Sequence, residues 1–270
     1  MPQKLCVTLE GDFPESPHTF ATALRGLIYE SLRTENASLA HDLHDANQPK
    51  PLIISPLWHD ERIPRTAYFH LSVLADWLLE PLLNGVEKRK NTLYLGRQAV
   101  RLASIQTVAE TTWEDFFVPP YGEIAEFYIS LLSPTAHHAS GAYRKSVVLP
   151  SPELYFGSWF SRWNLCCELQ MPESALEAVS AQVAVAYCSG ATQPVSIDRK
   201  RPFIGFVGEV RFTILKPEEL ADNIKRCLLA LARFSNFCGT GVETIRGMGQ
   251  TVYHEKPFSG EYRIVAGRGG

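Results

Sequence analysis

The chain has 270 residues, 45% of them hydrophobic, enough for one large core or two of ordinary size. No apolar run reaches the roughly 20 residues of a membrane-spanning helix, and the opening MPQKLCVTLEGDF has none of the marks of a signal peptide. A net charge of −3 does not mark a uniformly basic nucleic-acid binder, yet residues 196–270 hold 12 Lys+Arg against 8 Asp+Glu, while residues 1–195 hold 14 against 21. The basic surplus, and with it room for a nucleic-acid surface, lies at the C-terminal end.

Six cysteines (Cys6, Cys166, Cys167, Cys188, Cys227, Cys238) are scattered with no C-x-x-C pair, so neither zinc nor redox chemistry is implied. Most sit in apolar runs such as CVTL and AVAYC. Buried, reduced thiols are expected, and a cytoplasmic location with them.

Along the chain, strand and helix signals alternate in two rounds. Lys4–Leu9 alternates as a strand; a helix follows from about Pro17 to Arg33, with Ser16 as its cap. A shorter helix over Ala37–Leu43 starts at an Asn36 cap. PLIISPLW and AYFHLSVL are expected strands, DWLLEPLL a helix, and NTLYLGRQAVRLASIQTV a hairpin. DFFVPPYGEIA, with Pro-Pro and Gly, has the composition of a linker. Beyond it IAEFYISLLS is a strand, Pro152–Cys167 a helix, QVAVAYCS and GFVGEVRFTIL strands, Pro217–Phe237 a helix and GQTVYH a last strand. Leu220, Ile224, Cys227, Leu231 and Phe234 form the core stripe of that last helix. Two β-α-β-β-α-β rounds predict an α+β fold of tandem ferredoxin-like (RRM-like) domains, residues 1–120 and 121–270, each an antiparallel sheet with helices on one face.

Two stretches carry chemistry. GTGVETIRGMGQT (239–251) concentrates Gly239, Gly241, Gly247 and Gly249, residues that supply positive φ and close backbone approach. It follows a helix and precedes a strand, the reverse of a dinucleotide-binding loop, and it lacks the P-loop lysine. The second stretch is the first helix with HDLHDANQPK (41–50). On a helical wheel Phe20, Leu24, Leu27 and Ile28 face the core, while Tyr29 lies off that face between Arg25 and Arg33. The three form an aromatic-basic strip able to meet phosphate. His41 and His44, flanked by Asp42 and Asp45, raise the question of a metal, but two histidines do not fill a site and H-E-x-x-H is absent.

Together these stretches resemble the repeat-specific endoribonucleases of CRISPR systems, members of the RAMP superfamily. The glycine-rich loop resembles that family's G-x-G…G-φ-G signature. SPTAHH (133–138), LPSPELYFGSWFSRWN (149–164) and GFVGEVRFTIL (205–215) resemble its "SPT…P-P…RWN…G-x-x-G" run. Metal-independent members carry a Tyr/His/Lys triad, and Leu27-Ile28-Tyr29, Leu43-His44 and Pro49-Lys50 match its three elements in order.

The resemblance implies a cofactor-free endoribonuclease with Tyr29, His44 and Lys50 as its catalytic set. The substrate it implies is the repeat of a CRISPR precursor RNA, as a stem-loop or unstructured. Attack by the 2′-OH would leave a 2′,3′-cyclic phosphate. Arg246 in the loop, Arg226 and Arg233 on the last helix, Arg162 in SRWN, Arg25, Arg33 and the four loop glycines would bind RNA. Other CRISPR effector subunits are further partners under this reading, a membrane is not, and the chain would act as a monomer or homodimer. A non-catalytic RAMP subunit that only binds CRISPR RNA is the competing expectation.

Overall fold

The computed structural model describes residues 1–13, 21–45, 49–59, 63, 65–91, 93–120, 122–138, 146–196 and 202–258. It is an α+β structure built on two antiparallel sheets, one of six strands and one of four. In the N-terminal domain β1 (Gln3–Glu10), α1 (Ala21–Glu35), α2 (Ala37–Asp45), β2 (Leu52–Ile54), β3 (Trp58–His59), β4 (Thr66–Val73), α3 (Asp76–Lys88), β5 (Leu93–Leu95) and β6 (Gln98–Glu110) follow in sequence. The sheet runs β2-β4-β1-β6-β5, with β3 also on β4.

The C-terminal domain has β7 (Glu126–Thr135), the small hairpin β8 (His137–His138) and β9 (Ser146–Val147), α4 (Pro152–Cys166), α5 (Glu173–Gln182), β10 (Val183–Val195), β11 (Phe203–Ile214), α6 (Asp222–Cys238) and β12 (Thr251–His254). Its sheet runs β10-β11-β7-β12. In each sheet the first strand is central, β1 between β4 and β6 and β7 between β11 and β12, the ferredoxin-like arrangement expected from the alternation of elements.

Period-two burial explains both cores. In β1 Leu5, Val7 and Leu9 point inward and meet Leu24, Leu27, Ile28 and Leu32 of α1 and Leu78 and Leu82 of α3. The two helices cross closely because Gly85 has no side chain; a Cβ there would lie 2.0 Å from the Ser31 carbonyl oxygen. In the second core Phe127, Ile129 and Leu131 of β7 and Val210 and Phe212 of β11 pack on Tyr155, Trp159 and Trp163 of α4 and Phe234 of α6. Cys227, Leu231 and Phe234 are buried there and Leu220 packs at the margin; Ile224 is buried on the same helix but lies outside that cluster.

Several boundaries differ from the sequence expectation. Pro217 opens a 3₁₀ turn, Pro217–Glu219, and the α-helix itself starts at Asp222. The helix α5, with Ala175, Ala178 and Val179 buried, has no counterpart in the expected elements. The presumed linker is anchored at its start, since Phe116 is buried against Trp163, Phe234 and Phe237. Cys188 is exposed on the overhanging strand β10, and Cys6 and Cys166 are half-buried, so burial of all six thiols does not hold. All six are unpaired. Ser16, Pro17 and Phe20, the expected start of the first helix, lie outside the described residues. Asn36 does cap α2, its side-chain oxygen accepting from Leu39 N at 3.0 Å. Among the described residues no helix is long and apolar enough to cross a membrane.

Candidate active site

The helix α1 presents Tyr29 to α2, not to solvent. Tyr29 is 6% exposed, which corrects the wheel of the isolated helix. The reason is α2, which turns back at Asn36 and lays Ala40 and Leu43 against this side of α1. The phenol of Tyr29 donates to the Leu43 carbonyl at 3.4 Å. Burial raises its pKa, with the charge and hydrogen bond of Arg25 opposing. The Arg25 guanidinium stands 5.4 Å from the centre of the Tyr29 ring, within cation–π range. Of the expected strip, Arg25 is thus drawn onto Tyr29. Arg33 instead pairs with Glu30 at 2.6 Å on the exposed side.

His44 follows one residue after Leu43 and stands edge-on to Tyr29, ring centres 5.7 Å apart. Its Nδ1 lies 3.0 Å from Asp45 Oδ1, a contact that favours the proton on Nδ1 and leaves Nε2 the acceptor of the neutral ring. Among the described residues Nε2 has no hydrogen-bond partner. Asp45 also meets His41 Nε2 at 3.5 Å. The His44 hydrogen bond, followed by the charge of His41, holds the Asp45 carboxyl below its ordinary range. The sequence offered Asp45 only as a flank of a doubtful metal pair; its adjacency to His44 was the signal that it could orient the ring. Lys50 closes the cluster, donating from Nζ to the His44 carbonyl at 3.3 Å. Burial, then repulsion from Arg25, lowers its pKa, and Asp45 opposes the shift. Among the described residues no group of three His, Cys, Asp or Glu could hold a metal ion.

A different histidine can be set aside. His137, from SPTAHH, is buried under the glycine-rich loop, and burial followed by the charge of Arg162 pushes its pKa down to about 4. It stays neutral near pH 7 and packs against the Tyr155 ring.

The glycine-rich loop runs from the end of α6 to β12 and contains a 3₁₀ turn, Thr244–Arg246. All four of its glycines have positive φ. Gly241 shows why: at φ +79, a Cβ there would sit 2.2 Å from the Ala136 carbonyl oxygen. Gly241→Ala is therefore expected to cost about 1–3 kcal/mol of strain, a fall of roughly 2–12 °C in Tm for a chain of this size. Thermal denaturation of the variant checks it, and an unchanged Tm would show that the loop can relax.

The expected RNA-binding arginines fall into two groups. Arg226 is exposed on α6. Arg246 keeps a quarter of its side chain exposed and leans on Glu243 at 3.4 Å. Arg233, by contrast, is tied to Glu255 at 2.7 Å and to the carbonyls of Phe116 and Val118, and Arg162 is 7% exposed and hydrogen-bonded inside the protein.

Three comparisons bear on this arrangement. Residues 129–251 match the family model described as CRISPR-associated endoribonuclease Cas6. No curated protein sequence matches the chain. Among solved structures, the chain superposes on Thermus thermophilus Cas6 with a TM-score of 0.71 and 25% identity, covering 94% of this chain and 98% of that one. A Cas6 product complex gives 0.83 at 24% identity, over 94% and 100% of the two chains. A structure described as a RAMP protein binding different RNA substrates gives 0.64 at 15%, over 94% and 100%.

Proposed function

We propose that this chain is a Cas6-type CRISPR-associated endoribonuclease, a reading supported by the family match over residues 129–251 and by the likeness to solved Cas6 structures, and that it cuts CRISPR precursor transcripts within the repeat by metal-independent acid–base catalysis. The observation that carries this reading is the meeting of Tyr29, His44 and Lys50 at the α1–α2 corner, a ring contact of 5.7 Å and a hydrogen bond of 3.3 Å. Tyr29 reaches the corner as part of the core, whereas His44 at the end of α2 and Lys50 beyond it are not core residues.

RNA carries its own nucleophile. The 2′-OH beside the scissile phosphate attacks phosphorus in line; the 2′-O–P bond forms as the P–O5′ bond breaks. One proton leaves the 2′-OH and another reaches the departing 5′-oxygen, giving a 2′,3′-cyclic phosphate and a 5′-OH end. His44, its ring oriented by Asp45, carries one of these proton transfers, a contribution of roughly 10²–10⁴-fold. Lys50, with Arg25 near it, supplies positive charge against the phosphorane oxygens. Tyr29, held by Leu43 O and Arg25, positions the 2′-OH.

Arg246 and Arg226 are the arginines best placed to meet phosphate, since Arg233 and Arg162 already have protein partners. RNA affinity should therefore fall on Arg246→Ala, and the slope of log K against log salt should shrink by about one. Filter binding across a salt series measures it, and an unchanged slope removes Arg246 from the RNA surface. The mechanism itself is tested by incubating the protein with repeat RNA in excess EDTA and analysing product ends. Cleavage with cyclic-phosphate ends is expected. Cleavage abolished by EDTA overturns metal independence, and tight binding without a cut overturns the nuclease reading in favour of a binding subunit.

A further inference from the structure

The sequence leaves Arg162 either on RNA or tying its helix to the sheet; the structure gives it protein partners, in the glycine-rich loop. Its guanidinium donates from Nη1 to Ser158 Oγ at 2.6 Å and from Nη2 to Gly241 O at 2.7 Å and Thr244 Oγ1 at 3.2 Å. Ser158 Oγ in turn accepts from Gly241 N at 3.0 Å. Nearby, Trp159 Nε1 donates to Thr240 Oγ1 at 2.9 Å. Among the described residues Arg162 has no carboxylate partner. A buried guanidinium with only neutral acceptors is expensive, so what it holds matters.

What it holds is a loop fastened at its far side to the other domain. Ile245, the residue after Thr244, packs with the N-terminal core. The turn that carries it lies against α1 and β2. Gly247 N donates to Ile54 O of β2 at 3.1 Å, and Gln250 Nε2 reaches the same oxygen at 3.4 Å. Three consecutive residues therefore face three directions: Thr244 toward Arg162, Ile245 into the domain of α1, and Arg246 to the partly open surface. The helix on which Ile245 bears carries Tyr29 and Arg25.

We infer that Arg162 is a positioning residue, which fixes the catalytic α1–α2 corner across the domain boundary through the glycine-rich loop and Ile245. RNA seated on that loop and the proton-transfer group at His44 are then kept in one geometry by this strut, which acts beside the loop's bonds to Ile54. The catalytic part of this inference rests on the nuclease reading above; the mechanical part does not. Displacement of a reacting group by about 1 Å can cost on the order of 100-fold in rate, so a slackened strut should slow the chemical step more than it weakens binding.

The variants are Arg162→Lys, which keeps the charge but loses the fork, and Ile245→Ala, with Ile245→Leu as the conservative control. Hydrogen exchange over residues 21–45 is read first. Single-turnover cleavage of saturating repeat RNA in EDTA, and the dissociation constant, are read second. Both variants should exchange faster over 21–45 and cleave about 10- to 100-fold more slowly, with the dissociation constant of Ile245→Ala within about threefold of the native value. Leu at 245 should restore both readouts. The double variant should be little worse than the worse single, because both break one connection.

Unchanged exchange over 21–45 overturns the strut, as does full cleavage by a variant whose exchange has risen, or a fully additive double variant. Should Arg162→Lys fail to fold, Ile245→Ala decides, since Ile245 is only partly buried. A native chain that leaves the repeat intact brings down the nuclease reading instead, and the exchange measurement then settles the strut without it.

Discussion

His44→Ala is expected to leave a folded protein that holds repeat RNA and does not cut it. The histidine side chain is 58% exposed at the end of α2, and its protein contacts are the edge of Tyr29 and the Asp45 carboxylate. Truncating it opens no cavity, so stability should stay within about 0.5 kcal/mol of the native value. The phosphate contacts are assigned to Arg246 and Arg226, so affinity should change little. The single-turnover rate should fall by roughly 10²–10⁴-fold, the worth of a positioned acid–base group. Asp45 also meets His41, which makes His41 the internal control. Full activity in His44→Ala, lost instead in His41→Ala, would move the proton transfer one turn back along α2.

The comparison of Tyr29 with His44 shows where sequence reasoning reached the site and where it stopped. The strand alternation and the order of elements sufficed for two ferredoxin-like domains, because the burial period is a local property of each segment. The Asn36 cap was legible for the same reason: a side chain bonding its own backbone three residues on needs no distant partner. Tyr29 was misjudged as solvent-facing because a wheel treats α1 as a lone cylinder, and only α2 folding back buries the ring. α5 escaped notice because its small residues, Ala175, Ala178 and Val179, make a weak apolar stripe.

Arg162 and Arg233 illustrate the other limit. A sequence shows a cation near a signature, but whether its donors face solvent or a carbonyl is decided by chain segments far away. Arg162 meets Gly241 and Thr244 about 80 residues downstream, and Arg233 reaches back across the boundary region to Phe116. Long-range hydrogen bonds of this kind have no local signature.

Replacing the ribose just upstream of the cut by 2′-deoxyribose should stop the reaction altogether, while binding persists. The change deletes one oxygen from the substrate and nothing from the protein, so it isolates the nucleophile. If the 2′-OH attacks, removing it takes away the nucleophile, and with it the route to a cyclic phosphate. The deoxy substrate should then act as a competitive inhibitor with an affinity close to that of the ribose form, as Arg246 and Arg226 meet phosphates that are unchanged. A deoxy substrate cut at the native rate would require an external nucleophile and a group to activate it, and the roles given to Tyr29 and Lys50 would have to be withdrawn. The same measurement with His44→Ala separates the two functions of the corner. Both the variant and the modified RNA should bind, neither pair should turn over, and the native protein on native RNA alone should yield the cyclic phosphate.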